Sequence, residues 1–243
     1  MHFSEYHLPR VTSTNDYAKD LLMREAAVLV TAQYQSSGRG RNGRTWQGDH
    51  GANVYASFGI RHSHEQNAAE LSSWMGRGAL AVLAVLRTFL PTQRLRLKYP
   101  NDVQAFDEGW KKISGILVEH EFLGSQCTSS IIGIGINVEQ LVFSDTIAQP
   151  CTSMQRLGAS CTVQMVVDLL RQHMSMLADQ PWNKSFALWV EELAVLGRVV
   201  RLNDTQDEWI VQEILSDGRM IVRSITDTNE RVVTDGDSIR YTD

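Results

Sequence analysis

At 243 residues with 43% apolar composition, the chain has material for a large core, arranged as one domain or as one large and one small. Its 23 Lys and Arg against 28 Asp and Glu give a net charge of −5, which argues against a broad cationic surface for duplex nucleic acid and confines any anion site to a local cluster. Three cysteines, Cys127, Cys151 and Cys161, are too few for a disulfide framework and form no CxxC pair, so they read as reduced thiols of a cytoplasmic protein.

Residues 1–21 carry His, Glu, Arg and Asp without the apolar stretch of a secretion signal. Within them, Thr12-Ser13-Thr14-Asn15 offers capping side chains ahead of Tyr17, Ala18, Leu21 and Leu22, whose spacing predicts a short helix beginning near Asn15. Ala26 to Gln35 and Asn53 to Arg61 read as strands, and Ser36 to Gly51 between them as a loop. Glu65 to Leu90 sets Leu71, Met75, Leu80, Leu83 and Leu86 at helical spacings and predicts a long central helix. Its run Ala79 to Leu86, the longest apolar run in the chain, marks it as mostly buried and is too short to span a bilayer. Strands are expected at Arg94 to Tyr99, Lys112 to Phe122 and Ser129 to Val138, then helices near Val163 to Ala178 and Lys184 to Leu193. From Gly197, short β-type runs at Val199 to Leu202, Trp209 to Leu215, Met220 to Ile225 and Arg231 to Thr234 alternate with turns such as Ser216-Asp217-Gly218, predicting a small β-barrel. No repeat or long linker intervenes, so an α+β unit over residues 1–194 and a β unit over residues 195–243 should pack together.

Ser37-Gly38-Arg39-Gly40-Arg41-Asn42-Gly43-Arg44-Thr45-Trp46 packs three arginines among three glycines. Glycines let the backbone approach a ligand, guanidinium forks match carboxylate and phosphate oxygens, and Trp46 adds an apolar plane. A solvated basic loop is the bland reading of the same residues. The segment also satisfies the spacing of the dinucleotide fingerprint and nearly that of a Walker loop. Both need a helix next, which Trp46-Gln47-Gly48-Asp49-His50-Gly51 does not supply. Lys98-Tyr99-Pro100-Asn101-Asp102 stands where a strand ends, leaving an amide and a carboxylate for a nucleotide, Mg²⁺ or an amine, or else a plain turn. In Lys112-Ile113-Ser114-Gly115-Ile116-Leu117-Val118-Glu119, alternation sets Lys112 and Ile116 on one face. Lys112 there can meet a phosphate or blunt a sheet edge, as Lys111 can too. Ile131 to Val138 carries Gly133 and Gly135 on one face, which implies a ligand or the central helix against it, and Asn137 needs partners if buried.

Taken in order, Ser13-Thr14-Asn15, Gly38-Arg39-Gly40-Arg41-x-Gly43-Arg44-x-Trp46, Lys98-x-Pro100-Asn101-Asp102, Lys112-Ile113-x-Gly115-Ile116-Leu117-x-Glu119 and Gly133-x-Gly135-Ile136-Asn137-Val138 resemble the biotin protein ligase family. The resemblance is strong over Thr12 to Val138 and weaker beyond, with Asn42, Tyr99 and Ser114 as departures. It implies a class II aminoacyl-tRNA-synthetase-like α+β catalytic domain, with a mixed sheet and helices, and then a small SH3-like barrel. It also implies an enzyme that uses ATP and Mg²⁺ to make biotinyl-adenylate and passes the biotinyl group to a lysine of a biotin carboxyl carrier domain. Carried over, it puts biotin against Ser13, Thr14, Gln35, Gly38, Arg39, Gly40, Arg41, Lys112 and Gly115. ATP and the adenylate would meet Arg41, Arg44, Trp46, Asn101, Lys112 and Asn137, with Lys112, Asp102 and Arg41 as catalytic groups and the Mg²⁺ ligands unassigned. Because Ser13 lies so near Met1, no chain is left for the N-terminal DNA-binding domain of some relatives, so a ligase without DNA or membrane partners is expected, with a homodimer left open. Two rivals stand beside this reading. One is a lipoate–protein ligase or octanoyltransferase, and the other a nucleic-acid module using the Arg loop and barrel, which the charge balance disfavours.

Overall fold

Strands β1 (Ser4–Leu8) and β2 (Ala27–Ala32) pair in parallel, which obliges the chain to cross over between them. The crossover is helix α1 (Thr14–Leu21), capped by Ser13, whose hydroxyl accepts from the Asp16 N–H. Ala18, Leu21 and Leu22 of this helix pack on Val28, Val30 and Ile131, sealing one face of the sheet. In this computed structural model residues 1–145, 147, 149–203, 207–234 and 236–241 are described. Residues 204–206, 235 and 242–243 of the expected C-terminal unit lie outside them.

Then come β3 (Asn53–Arg61), α2 (Ala68–Phe89), β4 (Leu95–Lys98), β5 (Asp102–Phe106), β6 (Trp110–Leu123) and β7 (Gln126–Asn137). The seven strands lie in the order β1-β2-β3-β7-β6-β5-β4, antiparallel except for β1 with β2. β1 and β5 had no counterpart in the sequence reading. β1 has little apolar alternation, and β5 follows so closely on Pro100 and Asn101 that the expected loop is a tight turn. α2, opened by a reciprocal capping box of Asn67 and Glu70, runs along the second face, its Leu80, Leu83 and Leu86 sharing one core with Phe58, Ile116 and Ile132. Helices α3 (Val163–Asp179) and α4 (Trp182–Leu193) pack outside α2. Arg77 of α2 is buried and donates to the carbonyls of Leu177 at 3.0 Å and Gln180 at 2.8 Å, so it satisfies acceptors that the end of α3 leaves open.

β7 shows how the sheet divides labour. Ile132, Ile134 and Ile136 face α2 and the main core, while Gly133 and Gly135 face the other side. Strict alternation fails on β6. Val103 pairs with Ser114 but Gln104 pairs with Lys112, so Ile113 is an extra, bulged residue. The bulge turns Lys112 to the side of Gly115 and leaves Ile113 and Ile116 together in the core, correcting the expectation that Lys112 shares a face with Ile116.

The last five strands, β8 (Val199–Leu202), β9 (Glu208–Ile214), β10 (Met220–Ser224), β11 (Glu230–Val233) and β12 (Ile239–Tyr241), form an antiparallel sheet ordered β11-β10-β9-β8-β12. Its Val200, Trp209 and Val211 belong to the same continuous core as Leu97 and Tyr99. The Tyr99 hydroxyl donates to Gly218 O at 2.7 Å, and the Trp182 indole donates to Ser216 O. No described helix is long and apolar enough to cross a membrane.

Candidate active site

The glycine face of β7 forms one wall of a cavity of about 860 Å³. Near Gln35 it is neutral and polar. Gln35 Oε1 accepts from the Thr14 N–H at 2.7 Å and from the Thr14 hydroxyl at 2.9 Å, while the buried Ser57 hydroxyl lies 2.7 Å from Thr14 Oγ1 and 2.5 Å from Asn15 Oδ1. Space for Asn15 comes from Gly133, where a Cβ would fall 2.5 Å from its side-chain oxygen. The two strand glycines thus accommodate Asn15 and Trp46, not the central helix.

The Gly/Arg segment is a small hairpin. Gly40 N–H donates to Arg44 O at 2.7 Å and Trp46 N–H to Gly38 O at 2.9 Å, around a turn in which Asn42 and Gly43 take positive φ of 53° and 70°. Trp46 is delivered across Gly115 and Gly135; a Cβ at Gly135 would collide with its indole, and one at Gly115 would press on both the Lys112 side chain and the indole. Its Nε1 is buried and has no partner. Gly38 is not part of the cavity lining; it lets the Trp46 backbone come close, since a Cβ there would sit 2.6 Å from Trp46 O. Arg41 and Arg44 line the cavity. Arg39 also reaches its edge, but its guanidinium makes paired 2.7 Å bonds to Asp16 and longer ones, 3.1 and 3.2 Å, to Glu119.

The opposite end is cationic. Lys112 Nζ lies 2.6 Å from Asp102 Oδ1 and 5.4 Å from the centre of the Trp46 ring. Lys111 instead pairs with Asp107 at 3.2 Å, away from the cavity. Asn101 is clasped to β6, its amide donating to Ile116 O at 3.0 Å. Asn137 is buried and donates to Thr152 O at 3.0 Å, a structural bond that leaves it still lining the cavity. Asp102 is the one carboxylate lining the cavity among the described residues, and no cluster of three His, Cys, Asp or Glu among them is arranged to hold a metal ion.

Of the sequence-predicted residues, all but Gly38 meet at this cavity. The sequence reading missed Ser57, hidden in an apolar strand, and the roles of Asp16 and Glu119. It also missed Arg96, Phe143 and Cys151, and Ile239 to Tyr241 of the second sheet, which close one side. A polar residue inside a buried strand was the available signal for Ser57. No local signal marks β12, because three residues are too few to show alternation. Burial pushes the Cys151 thiol pKa up although Lys112 opposes it, and all three cysteines are free thiols.

A sequence model of the Biotin/lipoate A/B protein ligase family matches residues 7–137. The bifunctional ligase/repressor BirA of Salmonella typhimurium is 36% identical over 163 residues, covering 65% of this chain and 48% of that protein. The protein of the same name from Escherichia coli is 30% identical over 202 residues, covering 80% of this chain and 61% of its own length. The chain therefore spans about half to three fifths of these relatives. The solved biotin protein ligase from Aquifex aeolicus in complex with biotin and ATP superposes with a TM-score of 0.77 at 24% identity, covering 98% of this chain and 99% of that one.

Proposed function

Because the chain belongs to the biotin/lipoate A/B protein ligase family, we propose that it is an ATP-dependent biotin–protein ligase that forms biotinyl-adenylate and transfers the biotinyl group to a carrier lysine. One observation carries the choice of biotin: the neutral end of the cavity presents a carboxamide, a hydroxyl and a second amide from Gln35, Thr14 and Asn15, with the buried Ser57 hydroxyl holding the last two from behind. Such a set offers donors and acceptors to a cyclic urea. Against the apolar chain of a lipoyl or octanoyl group the donors left over from the mutual bonds, those of the Gln35 amide nitrogen above all, would find no acceptor.

Activation brings a carboxylate to the α-phosphate of ATP, two anions that repel until cations neutralise them. Lys112, Arg41 and Arg44 line the cavity and supply positive charge to it, and Trp46 supplies both a plane and an unpartnered N–H. The carboxylate oxygen bonds to the α-phosphorus as pyrophosphate leaves. In transfer, the acceptor amine attacks the acyl carbon, AMP leaves, and Asp102 takes the amine's proton. The hairpin covers the anhydride from water. Mg²⁺ would enter on the phosphates, with Asp102 as the carboxylate within reach. We read the seven-stranded unit, residues 1–194, as the synthetase-like catalytic domain and residues 195–243 as the SH3-like domain. The acceptor is a biotin carboxyl carrier domain.

Purified protein with Mg²⁺-ATP, carrier domain and either biotin, lipoate or octanoate, read by mass, tests the proposal. Addition of one biotinyl group is expected; addition of lipoyl or octanoyl with none of biotinyl would overturn it.

A further inference from the structure

Arg39, one of the three arginines of the hairpin, turns its guanidinium to two carboxylates. Its two carboxylate partners come from elements that also build the cavity. Asp16 sits in the first turn of α1, two residues after Thr14, and engages both Nη atoms at 2.7 Å. Glu119 of β6 accepts from Arg39 and, at 2.5 Å, from the Asn15 amide. A continuous chain of hydrogen bonds therefore runs from Gln35 through Thr14, Ser57, Asn15 and Glu119 to Arg39 and Asp16. Arg39 bridges to Thr45 across the hairpin, one residue from Trp46. Holding the guanidinium thus holds the strand that places the indole over Lys112 and Gly135.

We propose that Asp16 and Glu119 are positioning residues that latch the glycine/arginine hairpin over the cavity through Arg39, setting how long an activated intermediate stays enclosed. The latch is joined through Glu119 and Asn15 to the neutral end of the cavity, so a change at that end can reach the hairpin through side chains. The carboxyl of Asp16 is held below the usual carboxylate range by its bond to Arg39. Half of the Asp16 side chain is open to water, so the latch is weak enough to open in each turnover and salt will weaken it.

The consequence for turnover rests on the ligase reading, whereas the latch can be tested without ligand. Hydrogen exchange at Gly40 and Trp46, whose N–H groups close the hairpin, should speed up about threefold to fivefold in Asp16→Ala while the Leu22 amide at the end of α1 keeps its protection. Asp16→Glu, which keeps the carboxylate, should restore it. With biotin and Mg²⁺-ATP, Asp16→Ala should release biotinyl-adenylate faster by a similar factor, with a smaller change in the rate of its formation. Unchanged exchange at Gly40 and Trp46, or equal loss of protection throughout α1, overturns the latch. Faster exchange without faster release overturns its role in retention. A wild-type protein that makes no adenylate overturns the ligase reading while the exchange result still decides the latch.

Discussion

The two faces of β7 alternate along one strand and obey different rules. On the α2 side, Ile132, Ile134 and Ile136 are packed among leucines and tolerate no loss of volume. On the other side, Gly133 and Gly135 leave room that Asn15 and Trp46 occupy, so this face is polar and adjustable. One face packs into the core and the other lines the cavity, and the strand keeps them apart by its period of two. Stability and activity should therefore separate by residue parity.

The largest contrast comes from a pair of neighbours. Ile132→Ala should cost about 2–5 kcal/mol of stability in urea titration and leave KM for biotin close to that of the parent at low temperature. Gly135→Ala should lower pyrophosphate exchange by roughly 10²-fold, because its Cβ must expel the indole, with a stability change under about 1 kcal/mol. If the two variants lose stability equally, the division between the faces is wrong.

Within the cavity face, the bulge at Ile113 separates Lys112 from Lys111. Lys112→Ala should slow adenylate formation by roughly 10²–10³-fold, and Lys111→Ala, which breaks an ion pair with Asp107, by less than about threefold. Equal losses would contradict the bulged register.

Farther along the α2 face, His62 and His120 each lie 2.8 Å from the buried Ser130 hydroxyl. Burial pulls both imidazoles down, His62 to about 4, helped by the nearby His120 and His64 and opposed by Glu70. A depressed folded-state pKa means that the unfolded chain takes up the proton first. The contribution is whole above about pH 6.5 and is lost as pH falls to about 4. After allowance for the water that reaches a half-buried ring, that is about 1–2 kcal/mol from His62. His62→Gln should flatten the wild-type decline over this window, and parallel curves would remove histidine from the account.

The smallest effect tests the seam between the sheets. Tyr99→Phe removes the bond to Gly218 O and should cost about 1 kcal/mol, with the loss seen together in both sheets by hydrogen exchange. Protection lost from the second sheet alone would mean that the shared core is not cooperative.

The segments that carry the site were legible because their composition is unusual: three glycines among three arginines, a strand broken twice by glycine, a lysine three residues before another glycine. The long periodic elements were legible too, α2 from its leucines and β3 from its β-branched and aromatic run. β1, β5 and β12 were not, being short or masked by a neighbouring turn. β1 and β12 exist by pairing with β2 and β8, strands supplied from elsewhere in the chain, and β5 by pairing with β4 and β6 on either side of it.

The sequence by itself determined which residues are polar, which are small, and in what order they come, and, with the family resemblance those motifs carry, that sufficed to name in advance a set of residues of which all but Gly38 line one cavity. Only the tertiary structure decided where each one points. A single bulged residue reverses the face on which Lys112 lies, and the guanidinium of Arg39, at the cavity edge, is directed by carboxylates 23 and 80 residues away in the chain. Direction and partnership are set by register and by long-range charge pairing, and neither is encoded in a local window of residues.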